Sequence, residues 1–199
     1  TLAKFPGRIV PARTAADAPR IAAAGKLVAY KSMENSYPLG EDLGLLAEFQ
    51  KRGVRLAGPV HSSNNQFADS ATDKPLWNGL SPLGRQWVAE MNRLGMVIDG
   101  SHSSDAAFDQ MVELSKTPLL LSHSGSEDFF ASPRNLDDAR IRKLAASGGA
   151  ICVTTVFLSD MNLTEERGKL FARLEASGEL SPAEQADLTA KWRALDQKA

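Results

Sequence analysis

Short apolar runs alternate along this chain with stretches of about a dozen residues at helical spacing, and that alternation limits the folds open to it. The strand-like runs are 26-KLVAYKSME-34, 54-VRLAGPVH-61, 96-MVIDGSH-102, 118-PLLLSH-123 and 149-GAICVTTVF-157. Helical spacing is expected over 14–25, 40–53, 83–95, 104–116 and 136–148. In the second of these, Leu43, Leu46 and Phe49 share a face; in the third, Leu83, Trp87, Met91 and Leu94 do. Ser81-Pro82 opens the third in the preferred way, with serine at the cap and proline in the first turn. Strands alternating with helices of this length argue for βαβ units and a parallel sheet, as a doubly wound sheet or a (β/α)8 barrel.

The polar residues favour the barrel. Glu34, His61, His102 and His123 each stand at the C-terminal end of an apolar run. A parallel barrel gathers all such ends on one face, where its active sites lie. The two Ser-His-Ser triplets around His102 and His123 occupy equivalent points of successive units, 21 residues apart. If those strands are neighbours, their Cα atoms stand roughly 4.8 Å apart, close enough for both imidazoles to meet one ion. A full barrel takes about 250 residues, and only about five βα units are legible. The expectation is therefore a single domain over 1–199 that is a partial (β/α)8 TIM barrel of the metal-dependent hydrolase type, without its first and last strands. Residues 160–199 form a helical segment in this reading, its second helix opened by the capping-box spacing Ser181-Pro182-Ala183-Glu184. The polar stretch 62–80 reads as a long loop, of the kind that is either functional or disordered.

Composition excludes several classes. A net charge of -1 with no Lys/Arg-rich block argues against nucleic acid as a partner. The longest apolar runs are too short for an intrinsic transmembrane segment. Cys152, the single cysteine, cannot form an intrachain disulfide, and its apolar surroundings suggest a buried small hydrophobe. The chain begins at Thr1 with no signal-peptide pattern, which leaves the compartment open between export to a periplasm and the cytoplasm. There is no phosphate-cradling glycine motif and no Gly-x-Ser-x-Gly elbow. Three imidazoles and a carboxylate at equivalent strand ends suit zinc and similar divalent ions.

The segments 32-SMENSYPLGEDLGLL-46, 59-PVHSSNNQFADS-70, 79-GLSPLGRQWVAEMNRLGMVIDGSHSSD-105, 117-TPLLLSHSGS-126 and 132-SPRNLDD-138 resemble the membrane (renal-type) dipeptidases, peptidase family M19 of the amidohydrolase superfamily. The likeness runs in order from about Lys26 to Phe157, nearest to bacterial members. It implies a (β/α)8 barrel that hydrolyses dipeptides bearing a free C-terminal carboxylate, using two zinc ions and a metal-activated water. By this resemblance Glu34 is the carboxylate bridging the two ions, and His102 and His123 are imidazole ligands of one. His61 matches the catalytic, substrate-contacting histidine that steadies the tetrahedral intermediate. Arg134 matches the arginine that holds the substrate carboxylate, a task suited to a guanidinium fork. A homodimer is implied as well.

The chain also departs from the family pattern. It contains no His-x-Asp pair for the other zinc ion, and no Gly-[Ser/Ala]-Asp-Phe-Asp-Gly-like stretch, which carries the family's late catalytic aspartate, follows Phe157. The Glu-Gly-Gly-His of mammalian members is Glu34-Asn35-Ser36-Tyr37 here. The expectation is a central portion of a longer enzyme, inactive or unstable by itself. Two alternatives stand beside the hydrolase: a metal-poor member acting on a peptide-like natural product without hydrolysis, and a non-catalytic fragment.

Overall fold

Among the described residues, seven strands, all paired in parallel, follow one another through space in chain order. The computed structural model describes residues 4–5, 7–155, 164–175 and 180–196. Strand β1 (Ile9–Pro11) pairs with β2 (Leu27–Ala29), and β3 (Lys31–Met33) continues β2 after Tyr30. Next come β4 (Val54–Ala57) and β5 (Val97–Ile98), in the order β3-β4-β5. A parallel bridge between Asp99 and Leu120, with Gly100 N–H donating to the Leu120 carbonyl at 2.8 Å, carries the array to β6 (Leu120–Ser124). Strand β7 (Ala150–Val153) then pairs with β6. A doubly wound sheet reverses its order at a switch point; this array does not reverse. The fold is α/β with parallel sheets, the arrangement of part of a (β/α)8 barrel.

Helices α1 (Asp17–Ala23), α2 (Gly44–Lys51), α3 (Pro82–Leu94), α4 (Asp105–Leu114) and α5 (Asp138–Ala146) link the strands. Their starts are chemically marked. Ser81, Ser104 and Asp137 each accept a backbone N–H three residues on, which satisfies one of the orphan donors at a helix start. Gly95 ends α3 in the left-handed conformation, at φ 65°. Helices α2 to α5 pack side by side and cover one face of the strands. Ala57, Ile98 and Leu121 lie on that face, fully buried with Trp87, Met91, Phe108 and Met111. Each large side chain withdrawn there contributes on the order of 1.5–3 kcal/mol. On the alternate face Leu56 and Leu120 are half-buried and Val97 is exposed.

That second face corrects the reading of Cys152, which is exposed rather than buried. Its neighbour Ile151 packs against the core, so the period-2 alternation turns Cys152 the other way. An apolar run says that a strand exists, not which of its faces is covered. The strand array also contains one member the periodicity missed, the three-residue β1. Strand β7 ends at Val153, and Val156 and Phe157 of the anticipated run lie outside the described residues.

Residues 62–80 form an ordered loop. Buried Asp69 accepts N–H bonds from Leu76, Trp77 and Gly79, and Asn65 Oδ1 accepts those of Phe67 and Ala68. The loop then presses its Phe67 carbonyl onto α3 at Gly84, where an added Cβ would stand 2.0 Å from that oxygen.

Residues Thr1–Leu158 form one compact unit and Ser159–Ala199 another. The second holds α6 (Glu165–Glu175) and α7 (Pro182–Asp196). The anticipated capping box opens α7: Glu184 N–H donates to Ser181 Oγ at 3.3 Å, and Ser181 N–H donates to Glu184 Oε2 at 2.9 Å.

Glycine is normally the poorer helix residue, by about 1 kcal/mol against alanine. The Phe67 contact reverses that order here. Gly84→Ala is expected to lower stability by about 1–3 kcal/mol, read by urea denaturation; a neutral or stabilising result would refute the contact.

Candidate metal centre

Because the strands are parallel and in order, their C-terminal ends share one side of the array. Glu34 follows β3 directly. Its backbone is seated by β4: Gly58 N–H donates to the Met33 carbonyl at 2.9 Å, and a Cβ on Gly58 would stand 2.7 Å from the Glu34 carbonyl oxygen. Buried Ser36 donates to the Gly58 carbonyl at 2.8 Å and fastens the far side of the same turn. His61 ends the segment after β4, His102 ends the segment after β5, and His123 lies within β6.

All four side chains converge. Glu34 Oε1 stands 3.2 Å from His102 Nε2, 3.2 Å from His123 Nε2 and 3.5 Å from His61 Nε2. His102 Nε2 and His123 Nε2 are 2.9 Å apart. Ligand atoms of Glu34, His61 and His102 all lie within 4.8 Å of one another. The His61 and His102 rings are 4.0 Å apart at their centroids. His102 is buried, His61 and His123 are half-buried and Glu34 is exposed, so the group has a protein floor and an open mouth.

His102 is the strained member. Its φ of 70° is left-handed, a conformation costing about 1–3 kcal/mol outside glycine. The ordered loop holds it there. Ala71 N–H donates to the His102 carbonyl at 2.8 Å, and Ser104 N–H donates to the Asp69 carbonyl at 3.0 Å. Burial, followed by the charge of Arg134 and the neighbouring His61 and His123, pushes the His102 pKa down to about 3. The imidazole is therefore neutral at physiological pH, the state a metal ligand needs.

The two Ser-His-Ser triplets interlock. Ser101 Oγ accepts the His123 N–H at 3.2 Å, and Ser124 Oγ donates to the Arg134 carbonyl at 2.6 Å. The second bond folds the loop after β6 back on itself, which brings Arg134 beside the histidines. From sequence alone, an arginine before a helix would sit on the surface; Arg134 is instead buried. Its Nη2 donates to the His123 carbonyl at 3.4 Å. Burial lowers its pKa to about 10 against the opposing pull of Asp99 and Glu34, so it remains a cation at neutral pH.

Chemically, the group offers one carboxylate oxygen, Glu34 Oε1, within 3.5 Å of the Nε2 atoms of three imidazoles. His61 Nδ1 is 3.0 Å from Ser62 Oγ and His123 Nδ1 is 2.8 Å from Ser122 Oγ, outer contacts of the kind that orient metal-binding imidazoles. This donor set fits a divalent ion such as zinc. Asp99 and Ser122 escaped the sequence reading, although an aspartate inside the apolar run 96-MVIDG-100 was a signal, since aspartate is seldom buried without partners.

Comparison with known proteins gives a consistent result. The sequence pattern of the membrane dipeptidases (peptidase family M19) matches residues 1–190. Dipeptidase tcpJ of Claviceps purpurea is 35% identical over 153 residues, which are 76% of this chain and 36% of that protein. Dipeptidase 3 of Mus musculus is 34% identical over 134 residues, 65% of this chain and 27% of that one. The crystal structure of the probable dipeptidase PvdM from Pseudomonas aeruginosa has a TM-score of 0.77 at 36% identity, covering 91% of this chain and 47% of the other. A metallo peptidase from Rhodobacter sphaeroides, liganded with a phosphinate mimic of the dipeptide L-Ala-D-Ala, has a TM-score of 0.72 at 32% identity, covering 77% and 46%. The chain spans less than half the length of each of these relatives.

In the metal-free protein, protonation of His102 opposes folding. The unfolded chain takes up that proton near pH 6.5 and the folded one only near pH 3, so stability falls as pH drops through this window. His102→Asn, which tolerates the left-handed backbone, is expected to flatten the fall in urea denaturation at a series of pH values. An unchanged slope would show that His102 is not its source.

Proposed function

The chain belongs to the membrane dipeptidase family, peptidase family M19, and from that premise we propose that the complete protein is a zinc-dependent dipeptidase. Its substrate is a dipeptide with a free C-terminal carboxylate. One observation carries the reading: Glu34 Oε1, His102 Nε2 and His123 Nε2 lie within 3.2 Å of one another at the strand ends, beside the buried Arg134 cation.

In this proposal Glu34, His102 and His123 would hold zinc, with the Glu34 carboxylate also available to a second ion in the complete site. The bound metal supplies Lewis acidity and a water acidified toward neutrality. His61 lies in ring contact with His102 at the solvent side, where it meets the substrate and steadies the oxyanion that develops at the scissile carbonyl. Arg134 receives the substrate's terminal carboxylate; its low solvent exposure strengthens that pairing, because a desolvated guanidinium is less screened than a surface one. The second ion calls for the family's His-x-Asp pair, which these 199 residues do not contain. A homodimeric assembly completes the proposal.

The test uses the complete protein. Removing zinc with a chelator should abolish dipeptide hydrolysis and returning it should restore activity; hydrolysis that survives demetallation would overturn the proposal. His123→Ala should lose most of the bound zinc in elemental analysis, and unchanged stoichiometry would remove His123 from the ligand set. Arg134→Lys should raise KM about tenfold or more for free dipeptides, on the scale of one lost charge-assisted hydrogen bond, and much less for C-terminally amidated ones. Equal losses for both substrates would refute its carboxylate role.

A further inference from the structure

Behind His123 lies a chain of hydrogen bonds that leaves little freedom in where protons sit. Asp99 is buried between β5 and β6. Its Oδ1 accepts two backbone N–H groups, from Ser101 at 3.0 Å and from Ser122 at 3.0 Å. Its Oδ2 is bonded to Ser122 Oγ. Ser122 Oγ is also 2.8 Å from His123 Nδ1. A hydroxyl has one proton, and a carboxylate can only accept. Ser122 therefore donates to Asp99 and must accept from His123, which puts a proton on Nδ1.

A neutral imidazole with its proton on Nδ1 has a bare lone pair on Nε2. That is the atom lying 3.2 Å from Glu34 Oε1 and 2.9 Å from His102 Nε2. With Nδ1 occupied, Nε2 cannot donate to Glu34, and two acceptor atoms face one another across the gap.

We infer that Asp99 and Ser122 are positioning residues that lock His123 in the Nδ1–H tautomer and present its Nε2 lone pair to the metal site. The proton assignment follows from the hydrogen-bond chain alone; its bearing on zinc rests on the function proposed above. The relay also gives the serine before His123 a specific task. Ser101, which precedes His102, serves the backbone of β6 instead.

The geometry supplies an isosteric test. In Asp99→Asn the two backbone N–H donors at Oδ1 fix the amide oxygen there, leaving the NH2 group against Ser122 Oγ. Ser122 would then accept from Asn and donate to His123 Nδ1, and the ring proton would move to Nε2. Ser122→Ala removes the Nδ1 partner and leaves Glu34 Oε1 as the better hydrogen-bond acceptor, again favouring Nε2–H. Ser122→Thr keeps the hydroxyl and should keep the original tautomer.

The complete protein, labelled with 15N-histidine and freed of zinc, is examined by NMR at mildly alkaline pH, with His123→Gln identifying the His123 signals. The unsubstituted protein and Ser122→Thr should show Nδ1–H; Asp99→Asn and Ser122→Ala should show Nε2–H and bind zinc about tenfold or more weakly. Nε2–H in the unsubstituted protein, or Nδ1–H in both Asp99→Asn and Ser122→Ala, would overturn the relay. A switched tautomer with unchanged zinc affinity would uphold the relay and remove His123 from the proposed ligand set.

Discussion

Parallel pairing in chain order is the constraint from which the rest of the structure follows. A reversal anywhere along β3-β4-β5-β6 would send one of Glu34, His61, His102 or His123 to the opposite end of the array. Each crossover must span the sheet and return, so each unit needs a helix, and the helices have only one face of the strands to cover. The same topology therefore fixes the position of the core around Trp87 and Ile98 and leaves the strand ends to the polar residues. Stability and site are separated along the strand axis, as in barrels generally.

Within that frame, rigidity reaches the site through buried polar groups more than through apolar contact. Asp69 gathers three N–H groups and shapes the loop after β4; the loop then holds the turn that keeps His102 left-handed. Gly58 lets β4 approach the Glu34 backbone, and Gly84 lets the loop approach α3. None of these residues belongs to the proposed ligand set, yet each fixes where a ligand atom can stand. A single strained residue persists because several unstrained contacts over-determine it.

Sequence alone carried the outline well and the supports poorly, for identifiable reasons. Helix starts were legible because Ser81 and Ser181 announce themselves chemically. The convergence of Glu34 with the three histidines was legible because a strand end is a definite place in a parallel array. Strand β1 was not, since three residues show no period. The exposure of Cys152 was hidden because hydrophobicity does not record which face of a strand the helices cover. The burial of Arg134 depends on the Ser124–Arg134 bond that closes a loop, and composition does not encode loop closure. Asp99 and Ser122 act through hydrogen bonds between residues 23 apart, beyond the reach of any local pattern.

Charge at the site points to an order of events. Glu34 and Asp99 bring two carboxylates, Arg134 brings one cation, and His102 is held neutral by burial. Two carboxylates against one guanidinium leave a small excess of negative charge around the imidazole nitrogens, and such a cluster attracts a dication. Once a dication is bound the excess changes sign, with the Arg134 cation beside it. The pocket would then disfavour a second cation lacking its own carboxylate ligands and favour an anionic group. Under the function proposed above, a dipeptide carboxylate and a second metal ion would have opposite electrostatic requirements at this rim. In the proposed two-ion site the second ion would therefore have to bring an aspartate with it, which is the chemistry of the His-x-Asp pair that the family resemblance implies.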